Sequence, residues 1–331
     1  MHTVTIDRNS FSKYRDLKIY QLPKNEALIQ PIKINKRDYE YNPITKYPKI
    51  FNKIEPNIRS QIGGPDGFYF GDLRLRAKSE LQLQKNFNII SEFSYGIYNN
   101  FDELKLESDS RLPHVRTDIV KYLKETQHFS VNRLQANIFH NLTPNIYSKI
   151  SFGILETMFA GYGGEILYRP FYSDFAFGVE AWKVYKRDFD MRFSLDKRRY
   201  ETKTGHINLY YTEPRSKVTI ALKGGKFLAQ DSGINFDFSR RFKTGVRIGA
   251  FFSLTDISEY EFGEGSFDKG FYFNVPLQIF SDEYTKQSQS FGLRPLTRDG
   301  AQFLIHSHHL WGVTDQAQFN NISRDWSDLY D

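Results

Sequence analysis

The stretch Asp72-Leu73-Arg74-Leu75-Arg76-Ala77-Lys78-Ser79-Glu80-Leu81-Gln82-Leu83 decides the fold class. Its even positions (Asp72, Arg74, Arg76, Lys78, Glu80, Gln82) are charged or polar. Its odd positions (Leu73, Leu75, Ala77, Ser79, Leu81, Leu83) are largely apolar. Successive strand side chains point to opposite faces, so this is a strand with one charged and one apolar face. Its length of about twelve residues exceeds the five or six usual in globular strands. It reaches the roughly nine to eleven residues that cross a bilayer at a tilt.

The period of two recurs along the chain. Phe87, Ile89, Phe93, Tyr95 and Ile97 share a face, followed by Leu134, Ala136 and Ile138, and then Ile146, Ile150, Phe152 and Ile154. Tyr162, Ile166 and Tyr168 come next, then Phe175, Phe177, Val179 and Ala181, and then Ile207, Leu209 and Tyr211. Val218, Ile220 and Leu222 precede Ile234, Phe236 and Phe238; Val246 to Leu254 and Phe271 to Leu277 follow, and Phe303 with Ile305 forms a weaker last run. Residues 189–195 read as an extension of their neighbour. Short turns such as Asn141–Asn145, Phe171–Asp174, Glu213–Ser216 and Lys243–Gly245 are rich in Pro, Gly, Asn and Asp. Longer excursions at 100–129, 186–203, 256–269 and 280–300 lie between them, and one helical pattern at 115–125 sits within such a loop. The reading is an all-β protein: an antiparallel transmembrane β-barrel of about 12 strands, with long loops and one short loop helix.

A soluble sandwich would show similar apolar faces. Strand length, the short-turn and long-loop asymmetry, and the charge on the second face tilt the choice to a membrane barrel. Against it stand only 3 Trp and a C-terminus, Ser327-Asp328-Leu329-Tyr330-Asp331, that lacks the usual terminal aromatic. Residues 1–60, rich in Lys, Asn, Ile and Pro, read as a linker or accessory strand pair, 61–311 as the barrel, and 312–331 as a polar tail beyond it.

The composition excludes several classes. Zero Cys removes disulfide scaffolds, zinc ribbons and thiol nucleophiles. No apolar run approaches the length of a membrane helix, and a net charge of +6 over 331 residues is too weak to argue for nucleic acid. Met1-His2-Thr3-Val4-Thr5-Ile6-Asp7 has no secretory character, so the chain reads as cytosolic or as the later part of a longer exported protein.

Each motif with a chemical precedent also has a structural reading. Gly63-Gly64-Pro65-Asp66-Gly67 lacks the Gly-Lys-Ser/Thr ending of a phosphate loop and reads as a tight turn. Met158-Phe159-Ala160-Gly161-Tyr162-Gly163-Gly164-Glu165 lacks the helix of a dinucleotide fingerprint, and its glycines permit a bend or a close backbone approach. In the 261–270 loop Glu261, Glu264 and Asp268 could serve as acid and base on a glycosidic bond, or form a charged loop only. His306 and His308 share a strand face without an evident third ligand, so no metal and no cofactor is assigned. No Gly-x-Ser-x-Gly elbow is present.

Seven ordered motifs carry a resemblance. They are Gly63–Phe68, Val115-Arg116-Thr117-Asp118, Met158–Glu165 with Leu167–Pro170, Thr204-Gly205-His206, Lys226-Phe227-Leu228-Ala229-Gln230-Asp231, Glu261–Gly270 and Arg298-Asp299-Gly300. Together, over roughly residues 55–305, they resemble the YjbH family, seen as GfcD in capsule operons. The resemblance implies an outer-membrane β-barrel of exopolysaccharide and capsule production. Members are considerably longer, with an exported N-terminal part that carries the signal and often a lipid anchor. This chain looks like the C-terminal barrel portion. No catalytic residues carry over.

The preferred reading is therefore a non-enzymatic barrel of the Gram-negative outer membrane that serves as a conduit for a polysaccharide. The facing positions put Arg74, Arg76, Lys78, Glu80, Glu165, Arg169, His206 and Arg247, with Lys217 and Asp237, along the lumen; a register slip of one residue would reverse any of them. Asp231, Glu264, Asp268, Arg298 and Asp299 are candidates for a network fixing the loops. Two rivals remain: a plugged barrel scaffolding periplasmic export proteins, and a glycan-acting outer-membrane enzyme. Expected partners are the polysaccharide, outer-membrane lipids, export proteins of the same operon and the barrel assembly machinery.

Overall fold

The computed structural model describes residues 2–15, 27–31, 46–62, 66–105, 107–125, 128–195, 200–242, 244–263, 265–280, 288–295, 298–315, 317–319 and 321. At the front, β1 (His2–Ile6) and β2 (Ala27–Pro31) pair antiparallel by themselves, with helix α1 (Arg8–Arg15) between them. All other strands form one antiparallel sheet of thirteen, in which neighbours in sequence are neighbours in space. They are β3 (Lys49–Ile62), β4 (Tyr69–Gln84), β5 (Phe87–Asn99), β6 (Phe129–Thr143), β7 (Ile146–Ile154), β8 (Phe159–Tyr168) and β9 (Phe175–Lys186). Then come β10 (Glu201–Thr212), β11 (Val218–Lys226), β12 (Ser232–Arg241), β13 (Arg247–Thr255), β14 (Lys269–Pro276) and β15 (Ser288–Leu293). Short helices occur at α2 (Ile119–Glu125), α3 (Glu259–Phe262) and α4 (Leu310–Asp315). Among the described residues no helix is long and apolar enough to cross a membrane, and no ladder joins the edge strands β3 and β15.

The two faces of the sheet are inverted relative to a water-soluble protein. On β9, Phe175, Phe177 and Val179 are exposed while Ala176, Glu180 and Trp182 are buried. On β10, Ile207 and Leu209 are exposed, while Thr202, Thr204, His206, Asn208 and Tyr210 are buried. Many of the buried polar groups on this face bond to one another. Gln135 donates to Asn137 at 2.6 Å, Ser151 donates to the same Asn137 oxygen at 2.7 Å, and Asn137 donates to Asn88 at 3.0 Å. Two of the three glycines of the β8 motif answer to close approach of β9. A Cβ on Gly161 or Gly163 would run into the Lys183 or Ala181 carbonyl of β9.

Eleven of the twelve expected strands coincide with β4 to β14, and the ends of the sheet differ. The sheet starts at Lys49 rather than 61, because residues 49–62 pair along their whole length with β4. Pro56 sits within that strand without breaking it, since a proline is tolerated where one side of the strand has no ladder partner. The second missed strand, β15, is short, polar and exposed throughout. Conversely, Phe303 and Ile305 belong to no strand. They lie in a segment, residues 298–315, that runs along the polar face of the sheet.

That segment bends the sheet around itself. It contacts Gln135 of β6, Lys149 of β7, Glu165 of β8, Glu180 of β9, Tyr210 of β10 and Arg241 of β12. One segment reaches six of the seven strands from β6 to β12 only if they curve about it. It enters at the end of the sheet that carries the 100–128, 187–200 and 256–268 connections, and leaves at the end with the short turns 144–145, 169–174 and 242–246. The tail after Trp311, expected beyond the barrel, instead packs at this second mouth. Phe319 donates its N–H to the Phe171 carbonyl there.

Candidate functional site: the filled interior of the sheet

At the long-loop end the segment is tied down by charge-assisted hydrogen bonds. The Asp299 carboxylate accepts from the Arg116 N–H at 2.7 Å, the Thr117 N–H at 3.0 Å and the Thr117 hydroxyl at 2.7 Å. Arg116 in turn donates to the Phe303 carbonyl at 2.6 Å and to Glu156 at 3.0 Å. Asp231 accepts from the Ala301 N–H at 2.7 Å, and the Leu228 N–H donates to the Gln302 carbonyl at 2.9 Å. Beneath these bonds lies an apolar cluster of Val115, Tyr122, Leu155, Met158, Phe159, Trp182, Met191, Leu228 and Leu304. Loops and threaded segment thus share one small core.

Midway along the interior, strand register makes a row of titratable groups. Lys149 pairs with Glu165, Glu165 with Glu180, and Glu180 with His206 across β7 to β10. The threaded segment completes the row with His306 and His309. His306 Nε2 lies 3.1 Å from Glu165 and 3.3 Å from Glu180, and His309 Nδ1 lies 3.3 Å from Glu165. The Lys149 ammonium, fully buried, is 3.2 Å from Glu165 and donates to the Ser307 and His308 carbonyls at 3.0 Å each.

At the short-turn end Trp311 stacks on Tyr210 with centroids 4.0 Å apart, and the Arg169 guanidinium lies 3.6 Å from the other face of the indole. Arg169 also pairs with Asp315 at 2.9 Å, and Arg241 reaches the same carboxylate at 3.4 Å. Beside this stack the sheet keeps a cavity of about 700 Å³. Its wall carries four cations (Arg169, Lys217, Arg241, Arg247), two carboxylates (Asp174, Asp315), the rings of Phe171, Tyr272 and Trp311, and several hydroxyls.

The profile of a family described as "Exopolysaccharide biosynthesis protein YbjH" matches residues 1–316. The chain belongs to the YjbH family. Among curated relatives, "Uncharacterized lipoprotein YjbH" of Escherichia coli (strain K12) is 36% identical over 275 residues, 81% of this chain and 39% of that protein. The chain therefore spans about two-fifths of the length of that relative. Among solved structures, the "Salmonella typhi OmpF complex with Daunomycin" is 8% identical with a TM-score of 0.37, covering 78% of this chain and 95% of that one. That likeness is too distant to carry weight.

Three of the motifs that mark the YjbH resemblance, at 115–118, 226–231 and 298–300, meet in the long-loop anchor just described. Of the other residues singled out for a loop network, Arg298 pairs with Asp109 at 2.9 Å and Asp268 with Arg294 at 3.0 Å; Glu264 lies outside the described residues. Glu261 caps α3, its carboxylate accepting from the Ser258 N–H at 3.1 Å and hydroxyl at 2.6 Å. Asp268 is buried beside Arg294, so these two carboxylates of the expected acid–base loop have different structural partners.

The residues expected along the lumen separate into groups. Arg74 is buried against Asp72, Arg76 pairs with Glu55 at 2.6 Å, Lys78 with Glu55 at 3.4 Å, and Glu80 accepts from Asn88 at 2.8 Å. Arg74 is met by Asp72 of its own strand, whereas Arg76, Lys78 and Glu80 are half-buried and met by residues of β3 and β5. Glu165 and His206 stand in the central row; Arg169, Arg247 and Lys217 line the cavity, and Asp237 accepts from the Tyr272 hydroxyl at 2.9 Å. Sequence reasoning missed Lys149, Glu180, Arg116, Arg241 and the role of Trp311. His308 stands apart from the cluster of Glu165, Glu180, His306 and His309. The only signal for Lys149 was its place opposite Ile150 in an alternating strand.

The long-loop anchor carries a pH dependence. Burial pushes the carboxyls of Asp231 and Asp268 up to about 6 from an ordinary 3.8, the latter against the pull of Arg294. The folded state therefore holds protons that the unfolded chain releases between these values, and their stabilising contribution is fully present below 3.8 and lost as pH rises through 6. Amide protection factors around Ala301 and Lys269 are expected to be higher at pH 5 than at pH 7.5. An Asp231→Asn, Asp268→Asn double variant should flatten that difference, and an unchanged slope would refute the assignment.

Proposed function

We propose that this chain forms a β-barrel in the Gram-negative outer membrane and takes part in exopolysaccharide production as a binding and passage element, without catalysis. Membership of a family described by exopolysaccharide biosynthesis supports the process. The inverted sheet supports the location, since an apolar outer face and a polar inner face suit lipid outside and water inside. The observation that carries the reading is the short-turn cavity, whose cations exceed its carboxylates and whose rings and hydroxyls suit sugar faces and hydroxyl groups. Short turns face the periplasm in such barrels, so an acidic glycan would meet this mouth first. Outer-membrane lipids, the barrel assembly machinery and periplasmic export proteins are the partners this placement entails.

The test uses the refolded chain in detergent with polygalacturonate as acidic probe and dextran as neutral control, followed by Trp311 fluorescence. An Arg241→Gln, Arg247→Gln double variant is expected to weaken polygalacturonate binding about tenfold or more, because each charge-assisted hydrogen bond contributes roughly 1.5–3 kcal/mol. Added salt should weaken wild-type binding in the same direction. Equal binding of dextran, or no change in the double variant, would overturn the reading. The threaded segment favours a second reading, a sealed barrel that positions periplasmic export proteins.

A further inference from the structure

We propose that Glu165, Glu180, His306 and His309 form a binding site for a zinc-class divalent ion that staples the threaded C-terminal segment to the wall of the sheet. The four side chains each offer a ligand atom, and these atoms all lie within 4.8 Å of one another. A tetrahedral ion with bonds of about 2.0–2.2 Å holds its ligand atoms roughly 3.3–3.6 Å apart. Three of the six edges fall near this range: 3.1 Å between His306 Nε2 and Glu165, and 3.3 Å for His306 to Glu180 and for His309 to Glu165. Two imidazoles and two carboxylates are a donor set suited to zinc, whereas calcium and magnesium ask for oxygen throughout.

The surroundings fit a built site. Glu165 uses its second oxygen to accept the Leu310 N–H at 2.7 Å, and Glu180 is held by Trp182 Nε1 at 3.2 Å and His206 Nδ1 at 3.4 Å. Such outer contacts fix ligand orientation in metal centres. His308, between the two ligand histidines, has φ of 55°, a left-handed conformation that brings His309 back beside His306, with ring centroids 3.8 Å apart. His306 is fully buried and His309 is half exposed, which leaves an entry path on one side. Charge balance asks for a cation as well. The row holds two carboxylates and one ammonium, Lys149, which donates to the Ser307 and His308 carbonyls and lies 3.2 Å from Glu165 and 3.0 Å from His306 Nδ1. An ion on His306 Nε2 would leave the ring proton on Nδ1, and so would displace Lys149 from both Glu165 and His306. The rival explanation is a neutral His306 that accepts from Lys149 at Nδ1 and donates from Nε2 between the two carboxylates.

The experiment strips the full chain in detergent with EDTA and titrates zinc chloride in competition with a chromophoric chelator. One zinc per chain is expected, with an absorption-edge signature of nitrogen and oxygen ligands and no displacement by magnesium. His309→Ala, a half-exposed change that leaves the buried pair intact, should weaken binding at least about tenfold. Glu180→Gln should do the same, and His140→Ala, an exposed histidine on β6, should bind as wild type. Less than one zinc per chain, or equal binding by His309→Ala and His140→Ala, would overturn the proposal and leave a neutral His306 hydrogen-bonded between Lys149 and the two carboxylates. Neither result depends on whether the cavity binds glycan.

Discussion

Replacing Lys149 by methionine is expected to destabilise the folded chain by roughly 3–5 kcal/mol, the range found when one partner of a buried ion pair is removed. The ammonium is fully buried, and it faces Glu165 from β7 while holding two carbonyls of the threaded segment. Methionine keeps the volume of the stem and deletes the charge. Glu165 and Glu180 would then share one desolvated region without a fixed cation, and the Ser307 and His308 carbonyls would lose their donor. Urea unfolding of the refolded chain in detergent, with EDTA present, measures the effect. A Lys149→Met, Glu165→Gln double variant should recover part of it, because the unpaired charge is removed together with its partner. A loss below about 1 kcal/mol for the single change would mean that the row is hydrated and that the ammonium does not hold it together.

The same row shows what the sequence allowed and what it withheld. Period-two alternation told which side chains share a face, so β4 to β14 were legible, as was the placing of Glu165 and His206 on the polar face. Alternation says nothing about which residue of one strand lies beside which residue of the next. The neighbours Lys149, Glu165, Glu180 and His206 depend on three strand registers set by turns of different lengths. Threading was hidden for a related reason. An extended segment alternates whether or not it joins a ladder, so Phe303 and Ile305 read like a strand. Leu304 and His306 are instead buried against loops and strands, with Ile305 exposed. The edge strand β3 escaped because Pro56 argues against a central strand, and only the free side of an edge accommodates it.

Deleting residues 298–331 is expected to turn a silent or weakly conducting chain into one with steady open steps in a planar bilayer. Thirteen strands, if they close, make a backbone cylinder about 26 Å across at the usual spacing and tilt. In the full chain that space is crossed by the segment from Asp299, held by Arg116 and Thr117, through His306 to Asp315, held by Arg169 and Arg241. The segment is bound by polar contacts at three levels, and these can be exchanged for water more readily than an apolar core can. Release would leave the inner face lined by groups that water solvates well. Removal also takes Leu304 out of the small apolar cluster at the long-loop end, so folding must be checked by heat-modifiable migration before conductance is read. A milder variant, Trp311→Ala, frees only the short-turn end by emptying the sandwich between Tyr210 and Arg169, and should give brief openings rather than steady ones. If a folded truncated chain stays as silent as the full one, the interior is sealed by the strands or loops themselves. A passage role would then fail, and the scaffold reading would take its place.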